Sequence, residues 1–403
     1  MVPPPFPGIR LGPSARSPLL LRGPRLADGQ VADIVIADGV IVSVGRERPG
    51  QPLPAEILDL RGYLVLPSLV EPHAHLGRAA TPGPPGTRLA AQVQAAVIRH
   101  LACGTTAIRM HVDVGKDAGL RSVQALLDVR ADLAGIMDIQ VVAVASAPVT
   151  GLAGVDGRAR LRHALAAGAD LAGIAPLPGD EAGRSVEAVA VVAADAGAGL
   201  DLQVGETAAP GTLPRLVAVA EAGFGYPVTA SRVASLGRTI RERRRAARSL
   251  AEAGIGVVTL PRPGMVMNGS DRASGPSCGL TAVQDLAEAG VPVAAGGGSP
   301  QGLSHTDPLE TACLLLMAAR LKPAEAVAAV TSAGRKIMRL RDVAVARGEP
   351  ADLVAIRAES LAGALASGTA DRIVLRGGRI VARTQMAAEF SLPELPVMRS
   401  AWN

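Results

Sequence analysis

Two histidines separated by one residue, His73 and His75, are the residues of this chain best suited to do chemistry. They close the apolar run Leu64 to Leu76, and side chains in a strand alternate between its two faces. Both imidazoles are therefore expected on one side of the strand's carboxyl end, where they can fill two positions around Zn²⁺ or Fe. The alternative is a histidine pair that ends a buried strand by chance. The segment Gly77 to Gly86, rich in glycine and proline, favours the metal-ligand interpretation because active-site rims are built from loops.

The elements that must position this pair alternate strand with helix. Eight apolar segments have the length and composition of strands: Leu64 to Leu76, Thr105 to Val112, Asp138 to Ala145, Asp170 to Ala175, Leu200 to Val204, Pro227 to Ser231, Gly256 to Leu260 and Pro292 to Ala295. Helical patterns follow most of them: Thr87 to Leu101, Ala118 to Leu133, Gly183 to Ala196 and Ser235 to Ala253. Eight such units predict an α/β fold, a (β/α)8 TIM-type barrel. The alternative, an open doubly wound sheet, lacks a GxGxxG turn after any strand, since the run Gly296 to Gly298 has the wrong spacing.

Both ends of the chain carry a different pattern, in which strands are joined by tight turns. Asp38-Gly39 lies between two β-rich runs near the amino end, and Gly377-Gly378 does so near the carboxyl end. This symmetry predicts a small β-sandwich domain formed from both chain ends. We expect a disordered lead-in over residues 1–18, a composite sandwich from residues 19–63 and 339–390, and the barrel over residues 64–338.

Composition and charge argue against several classes of function. Hydrophobic residues make up 48% of the chain and aromatic residues 1%, so any pocket will be poor in stacking surfaces. The formal charge is +5, but a nucleic-acid surface needs clustered basic residues with aromatics beside them. The densest cluster, Arg241 to Arg245, lies in a helical pattern and is predicted to be a solvated helix face, with a functional basic patch as the alternative. We therefore expect no nucleic-acid partner.

The cysteines and the apolar runs predict a soluble protein of the cytoplasm. Cys103, Cys278 and Cys313 are far apart and form no CxxC pair, so neither a disulfide framework nor a cysteine zinc site is expected. The proline-rich start lacks the apolar helix of a signal peptide, and the run Thr311 to Ala319 is too short to span a bilayer. We expect no membrane partner.

Several motifs, in order along the chain, resemble the cytosine deaminase branch of the amidohydrolase superfamily. They are VEPHAHL (residues 70–76), IRMHVDVG (108–115), DIQVVAVAS (138–146), GADLAGIAP (168–176), VTASR (228–232) and the closing PADLVAI (350–356). The resemblance extends from about Leu19 to Thr384. It implies a deaminase-like hydrolase of carbon–nitrogen bonds in cyclic compounds, with one divalent metal at the barrel mouth.

The resemblance also implies roles for particular positions. In that family the metal is held by the first-strand HxH pair, a histidine ending strand five and an aspartate ending strand eight. His73 and His75 match the pair, but Gln203 stands at the strand-five position and Gly298 at the strand-eight position. The proton-shuttling glutamate is kept as Glu206, and the assisting strand-six histidine is replaced by Arg232. The substrate-binding position after strand three falls at Ser146 or a neighbour, and Gln203 and Arg232 are further substrate-binding candidates.

These departures predict an incomplete metal site. A catalytic zinc normally keeps three protein ligands and a water, and here the matched positions supply two imidazoles. Arg232 adds a permanent charge, and a +1/+2 pair at about 5 Å repels by roughly 6 to 7 kcal/mol at an effective dielectric near 20. A rearranged set that adds His111 is the alternative, although the resemblance gives His111 no role as a ligand.

Three functional hypotheses follow. The first is a degenerate relative without a standard metal-dependent activity, a pseudoenzyme that needs no cofactor. The second is an active deaminase-like hydrolase that uses His73 and His75 on Zn or Fe with Glu206 as proton shuttle. The third is a metal-free enzyme in which Arg232 binds an anionic substrate and Glu206 acts as general base. All three predict a small-molecule ligand, anionic in the third, and a homo-oligomer or a partner enzyme is a further expectation.

Overall fold

A computed structural model gives the fold of this protein. It describes residues 18–45, 56–75, 85–115, 117–145, 148–175, 181–204, 211–233, 236–237, 239–262, 278–298 and 307–386. All but the last residue of the predicted lead-in over residues 1–18 lies outside these residues, and so does most of the predicted rim Gly77 to Gly86. The candidates Ser146 and Glu206 also lie outside them.

Eight parallel strands form the central sheet, and they follow one another in chain order. They are β6 (Leu69–His75), β7 (Thr105–Asp113), β8 (Asp138–Ala145), β9 (Leu171–Ile174), β10 (Gly199–Gln203), β11 (Val228–Ser231), β12 (Gly256–Thr259) and β13 (Val293–Ala295). Nearly every residue of these strands is buried, as expected of a parallel sheet covered on both faces. The predicted (β/α)8 barrel is confirmed.

Helices cover the outside of this sheet. They are α1 (Pro85–Ala102), α2 (Asp117–Asp132), α3 (Val155–Ala166), α4 (Glu181–Asp195), α5 (Thr212–Glu221), α6 (Ile240–Glu252), α7 (Cys278–Glu288), α8 (Pro308–Ala318), α9 (Pro323–Ala329), α10 (Ser332–Ile337) and α11 (Leu361–Ser367). Their apolar faces join the outward side chains of the strands in one large core. No helix in the described part of the chain is long and apolar enough to cross a membrane.

The helix α6 starts later than its pattern predicted, at Ile240 rather than Ser235. A capping box fixes this start: the Glu242 backbone N–H donates to the Thr239 hydroxyl, and the Thr239 N–H donates to the Glu242 carboxylate. Arg243 and Arg244 of the arginine-rich run pair with Asp285 of α7, at 2.9 and 3.5 Å. Part of this basic face therefore holds two neighbouring helices together.

The prediction of one strand from Leu64 to Leu76 is wrong. The run is divided at Ser68 into β5 (Tyr63–Pro67) and β6, which belong to different sheets. Both halves are apolar because both are buried, so composition alone could not show the boundary. The first barrel strand begins at Leu69, and its shorter length still places the two histidines at its carboxyl end.

Two further sheets are formed by the chain ends. The first contains, in spatial order, β3 (Val40–Gly45), β2 (Asp33–Ala37), β1 (Leu19–Arg22) and β4 (Glu56–Asp59); the second contains β16 (Arg379–Thr384), β15 (Arg372–Arg376), β14 (Leu353–Arg357) and β5. Side chains of both sheets, such as Ile34 and Leu353, share one separate core. Both predicted turns join antiparallel strands, at Asp38-Gly39 and at Gly377-Gly378. The predicted β-domain from both ends is present, while the exact domain boundaries stay a prediction.

Candidate functional site

Three histidines meet at the carboxyl ends of the first two barrel strands. The Nε2 atoms of His73 and His75 lie 3.0 Å apart, and the ring centroids of His73 and His111 lie 3.9 Å apart. His111 of β7 is the register partner of His75 in β6, which brings the third ring to the pair. The rings of His73 and His75 therefore lie at one site, as their spacing predicted. The register of β6 and β7 brings His111 to the same site.

A buried ion pair lies beside this cluster inside the barrel. The guanidinium of Arg109 donates to Asp201 Oδ2 at 2.7 Å, and the Ser231 hydroxyl donates to Asp201 Oδ1 at 2.9 Å. His111 Nε2 lies 3.4 Å from the same Oδ1. Burial alone would raise the pKa of Asp201, but the charges and hydrogen bonds of His111 and Arg109 outweigh it and lower that pKa. Asp201 is thus an anion inside the barrel.

Glu71 joins the two edges of the barrel sheet. In the described residues the backbone pairing runs from β6 to β13 and does not link β13 back to β6. The Glu71 carboxylate accepts the N–H of Gly297 at 2.9 Å and that of His73 at 3.0 Å, so a side chain bridges this seam. Burial raises the pKa of Glu71 to about 8, although the two N–H donors favour its charged form.

The imidazoles of His73 and His75 are held neutral. Burial, followed by the charges of His111, His75 and Arg232, lowers the pKa of His73 well below its usual value. Burial, His111 and Arg232 lower the pKa of His75 to about 3. At neutral pH both rings therefore offer a lone pair to a metal or to a hydrogen-bond donor of a ligand.

The remaining candidates flank this cluster. Arg232 follows β11 with a positive φ of 54°, and its backbone N–H donates to the Val258 carbonyl at 3.2 Å. Its charge acts on both His73 and His75, so it lies near them. Gln203 is buried at the end of β10, and Gly298 follows β13. The catalytic and substrate-binding roles assigned to Gln203, Arg232, Ser146 and Glu206 stay predictions.

Sequence reasoning missed Glu71, Arg109 and Asp201. Each stands two residues before a polar residue that it did select: His73, His111 and Gln203. Because strand side chains alternate, each pair points to the same side of the sheet. A charged residue two positions before a candidate, within an otherwise apolar strand, was the signal that could have found all three.

The cluster offers part of a ligand set for a metal ion. One ligand atom each from His73, His111 and Asp201 lies within 4.8 Å of the others, and all three residues are buried. His73 Nδ1 and His111 Nδ1 have no hydrogen-bond partner in the described structure. Two imidazoles and a carboxylate suit Zn²⁺ or Fe²⁺, but both Asp201 oxygens already accept hydrogen bonds and two arginines lie close by. The set fits a divalent cation in donor type but not in charge.

Known proteins that are similar to this chain include deaminases and related hydrolases. No family model matches the chain. A pterin deaminase of Rhizobium rhizogenes is 29% identical over 401 residues, which covers 90% of each chain. The crystal structure of N-isopropylammelide isopropylaminohydrolase from Burkholderia multivorans is 28% identical, with a TM-score of 0.73 over 91% of this chain and 99% of that chain.

A third relative supports the fold. The structure of 5-methylcytosine deaminase from Klebsiella pneumoniae superposes with a TM-score of 0.74 over 93% of this chain and 99% of that one, at 23% identity. The sequence relatives and the structural relatives agree with each other. In sequence and in fold, this chain is similar to deaminases and hydrolases of the amidohydrolase superfamily.

Proposed function

We propose that this protein binds a small, anionic nitrogen heterocycle at its barrel mouth and is not a standard metal-dependent deaminase. The observation that carries the proposal is the position of Arg232 directly after β11, where its charge lowers the pKa of both His73 and His75. Guanidinium cannot deprotonate in a protein, so this charge is permanent and opposes a divalent cation held by the same two rings. The inherited metal positions at Gln203 and Gly298 carry no imidazole and no carboxylate.

The same residues suit a ligand with negative charge and ring nitrogens. Arg232 can donate two parallel hydrogen bonds to a carboxylate or to adjacent ring oxygens. The neutral rings of His73 and His75 can each accept from a ring N–H or donate to a ring nitrogen. Gln203 adds one amide donor and one acceptor. The relatives named above act on pterin, N-isopropylammelide and 5-methylcytosine, which are all nitrogen heterocycles, and this supports the ligand class.

A metal-dependent hydrolase is the second candidate. It is favoured by the ligand atoms of His73, His111 and Asp201, which lie within 4.8 Å of one another. A divalent metal bound there would supply a water of lowered pKa. In that case Ser231 and Arg109 would position Asp201, and Arg232 would orient the anionic part of the substrate.

Metal content and turnover separate the two candidates. Protein purified without a metal-binding tag would be analysed for metals and assayed for ammonia release from cytosine, 5-methylcytosine and pterin, and for amine release from N-isopropylammelide. We expect well below one metal per chain and no turnover. One metal per chain, with turnover abolished by His73→Ala but kept by the exposed-helix control His163→Ala, would establish the hydrolase instead.

A variant designed to bind a metal tests whether the replaced residues are what excludes it. The triple variant Gln203→His, Arg232→His and Gly298→Asp restores the ligands that the family uses and removes the opposing charge. Gly298 has a φ of 51°, and aspartate is among the residues that tolerate this conformation best. We expect the triple variant to bind zinc near one per chain. If wild type and triple variant bind zinc equally, the charge of Arg232 does not exclude the metal and the proposal fails.

A further inference from the structure

A groove of about 650 Å³ opens between the two terminal sheets, away from the histidine cluster. Its lining includes Asp59, Arg61, Tyr63, Arg357, Ile373 and Arg383, and we call it the sandwich groove. Tyr63 lies in β5, which precedes the amino end of the first barrel strand, whereas His73 and His75 lie at that strand's carboxyl end. The groove shares no residue with the candidate active site.

Positive charge exceeds negative charge in the lining, with three guanidinium groups against one carboxylate. That carboxylate, Asp59, is already occupied: it accepts the backbone N–H of Arg61 at 3.1 Å and further hydrogen bonds from the Arg61 guanidinium. Those hydrogen bonds lower the pKa of Asp59 to about 2. Arg357 and Arg383 therefore have no lining acid left to neutralise them.

The guanidinium of Arg357 packs against the protein, although the residue is exposed. Its guanidinium carbon lies 5.3 Å from the centre of the Tyr63 ring, a cation–π distance. A methyl group added at Gly62 would lie 3.5 Å from the same carbon, so the backbone there packs against the guanidinium. The Tyr63 hydroxyl donates to Asp371 at 2.9 Å, which fixes the ring. An arginine ordered in this way loses less entropy when it binds a planar anion.

Arg383 faces the same groove from β16. Within the described residues its side chain makes no hydrogen bond or ion pair, and the residue is exposed. Ile373, its register partner on β15, is buried and gives the groove an apolar floor next to the cation. The groove thus offers two exposed guanidinium groups beside an apolar surface, and that of Arg357 is packed against Tyr63.

We propose that the sandwich groove is a second binding site, for a small oxyanion bearing a phosphate or carboxylate group. Arg357 and Arg383 are its main contacts, because Arg61 is committed to Asp59. Guanidinium matches the geometry of both oxyanions, and the volume is that of an ordinary small-molecule site. The site is independent of the barrel mouth and of any chemistry there.

The test is calorimetric titration of the full chain with two probes, inorganic pyrophosphate and citrate, at about 0.1 M salt, where charge interactions are only partly screened. We expect wild type to bind at least one probe, and Arg357→Gln and Arg383→Gln each to bind it about fivefold more weakly or worse. The matched control is Arg379→Gln, which removes the same charge from the same strand outside the groove, beside Gly135. It is expected to bind like wild type.

The pattern of binding identifies the anion. Binding of pyrophosphate alone indicates a phosphate ligand, binding of citrate alone indicates a carboxylate ligand, and binding of both indicates a general oxyanion site. Failure of wild type to bind either probe would refute the site, as would equal weakening by Arg379→Gln. Thermal melts of each variant check that the three substitutions leave the fold intact. The metal and turnover assays of the barrel mouth are unaffected by either result.

Discussion

Inside the barrel, Gly296 packs tightly against two residues of the candidate site, Glu71 and His73. A Cβ atom placed on Gly296 would lie 2.8 Å from Glu71 Oε1 and 3.0 Å from His73 Cβ. Glu71 cannot move away freely, because its carboxylate holds the N–H groups of Gly297 and His73. The glycine run after β13 therefore has a packing role in addition to lacking the inherited acid.

Gly296→Ala is expected to destabilise the protein by about 1–3 kcal/mol, because overpacking a buried site forces shifts of this cost. The measurement is urea unfolding followed by circular dichroism. Gly225→Ala is the matched control, since nothing lies within 4 Å of its added methyl group. Equal stability of the two variants would show that Glu71 adapts, and would remove the argument for a tight seam.

At the scale of elements, the repeated alternation of apolar segments with helical patterns was enough to predict the barrel. The turn residues between β-rich runs were enough to predict the terminal hairpins. Strands such as Asp138–Ala145 are buried on both faces, so they appear in sequence as short continuous apolar runs. The division of Leu64 to Leu76 between two sheets could not be predicted, because it depends on pairing with β14, nearly 290 residues later in the chain. The His73 and His75 pair followed from spacing. The contact of Arg109 with Asp201 joins residues 92 apart, so the local pattern that marks each residue could not show that they meet.

One such long-range contact fixes the helix that follows the last barrel strand. Arg372 of β15 is buried and donates to both carboxylate oxygens of Asp307, which caps the amino end of α8. It also donates to the Cys103 carbonyl at 2.6 Å, just after α1. A single guanidinium thus joins the terminal sheet to two barrel helices.

Arg372→Met is expected to cost about 3–5 kcal/mol, because it leaves the mostly buried Asp307 carboxylate without its cation. Urea unfolding measures the loss, and the half-buried Arg379→Met on the neighbouring strand should change stability by under about 0.5 kcal/mol. The double variant Arg372→Met with Asp307→Asn should be more stable than the sum of the two single changes. Additive costs would mean that the pair does not interact as described.

For the whole molecule, stability comes from two hydrophobic cores and from buried ion pairs. The barrel core is built from aliphatic side chains of all eight strands and their helices, and the terminal sheets carry a second aliphatic core. Arg109 with Asp201 and Arg372 with Asp307 pair two buried arginines with carboxylates. A metal that binds only the folded state would add to this by mass action, which gives a thermodynamic readout independent of any substrate.

The last prediction is that chelation leaves the melting temperature unchanged. A metal present at 100 times its dissociation constant stabilises the folded state by about 2.7 kcal/mol. In a large domain each kcal/mol shifts the melting temperature by about 2 °C or more, so removal of such a metal would be visible as a drop of several degrees. Because Arg232 and Arg109 oppose a cation beside His73, we expect calorimetric melts with EDTA and with added zinc to agree within about 1 °C. A zinc-dependent rise that is lost in both His73→Ala and His111→Ala, and kept in His163→Ala, would instead establish a metal at the His73, His111 and Asp201 set.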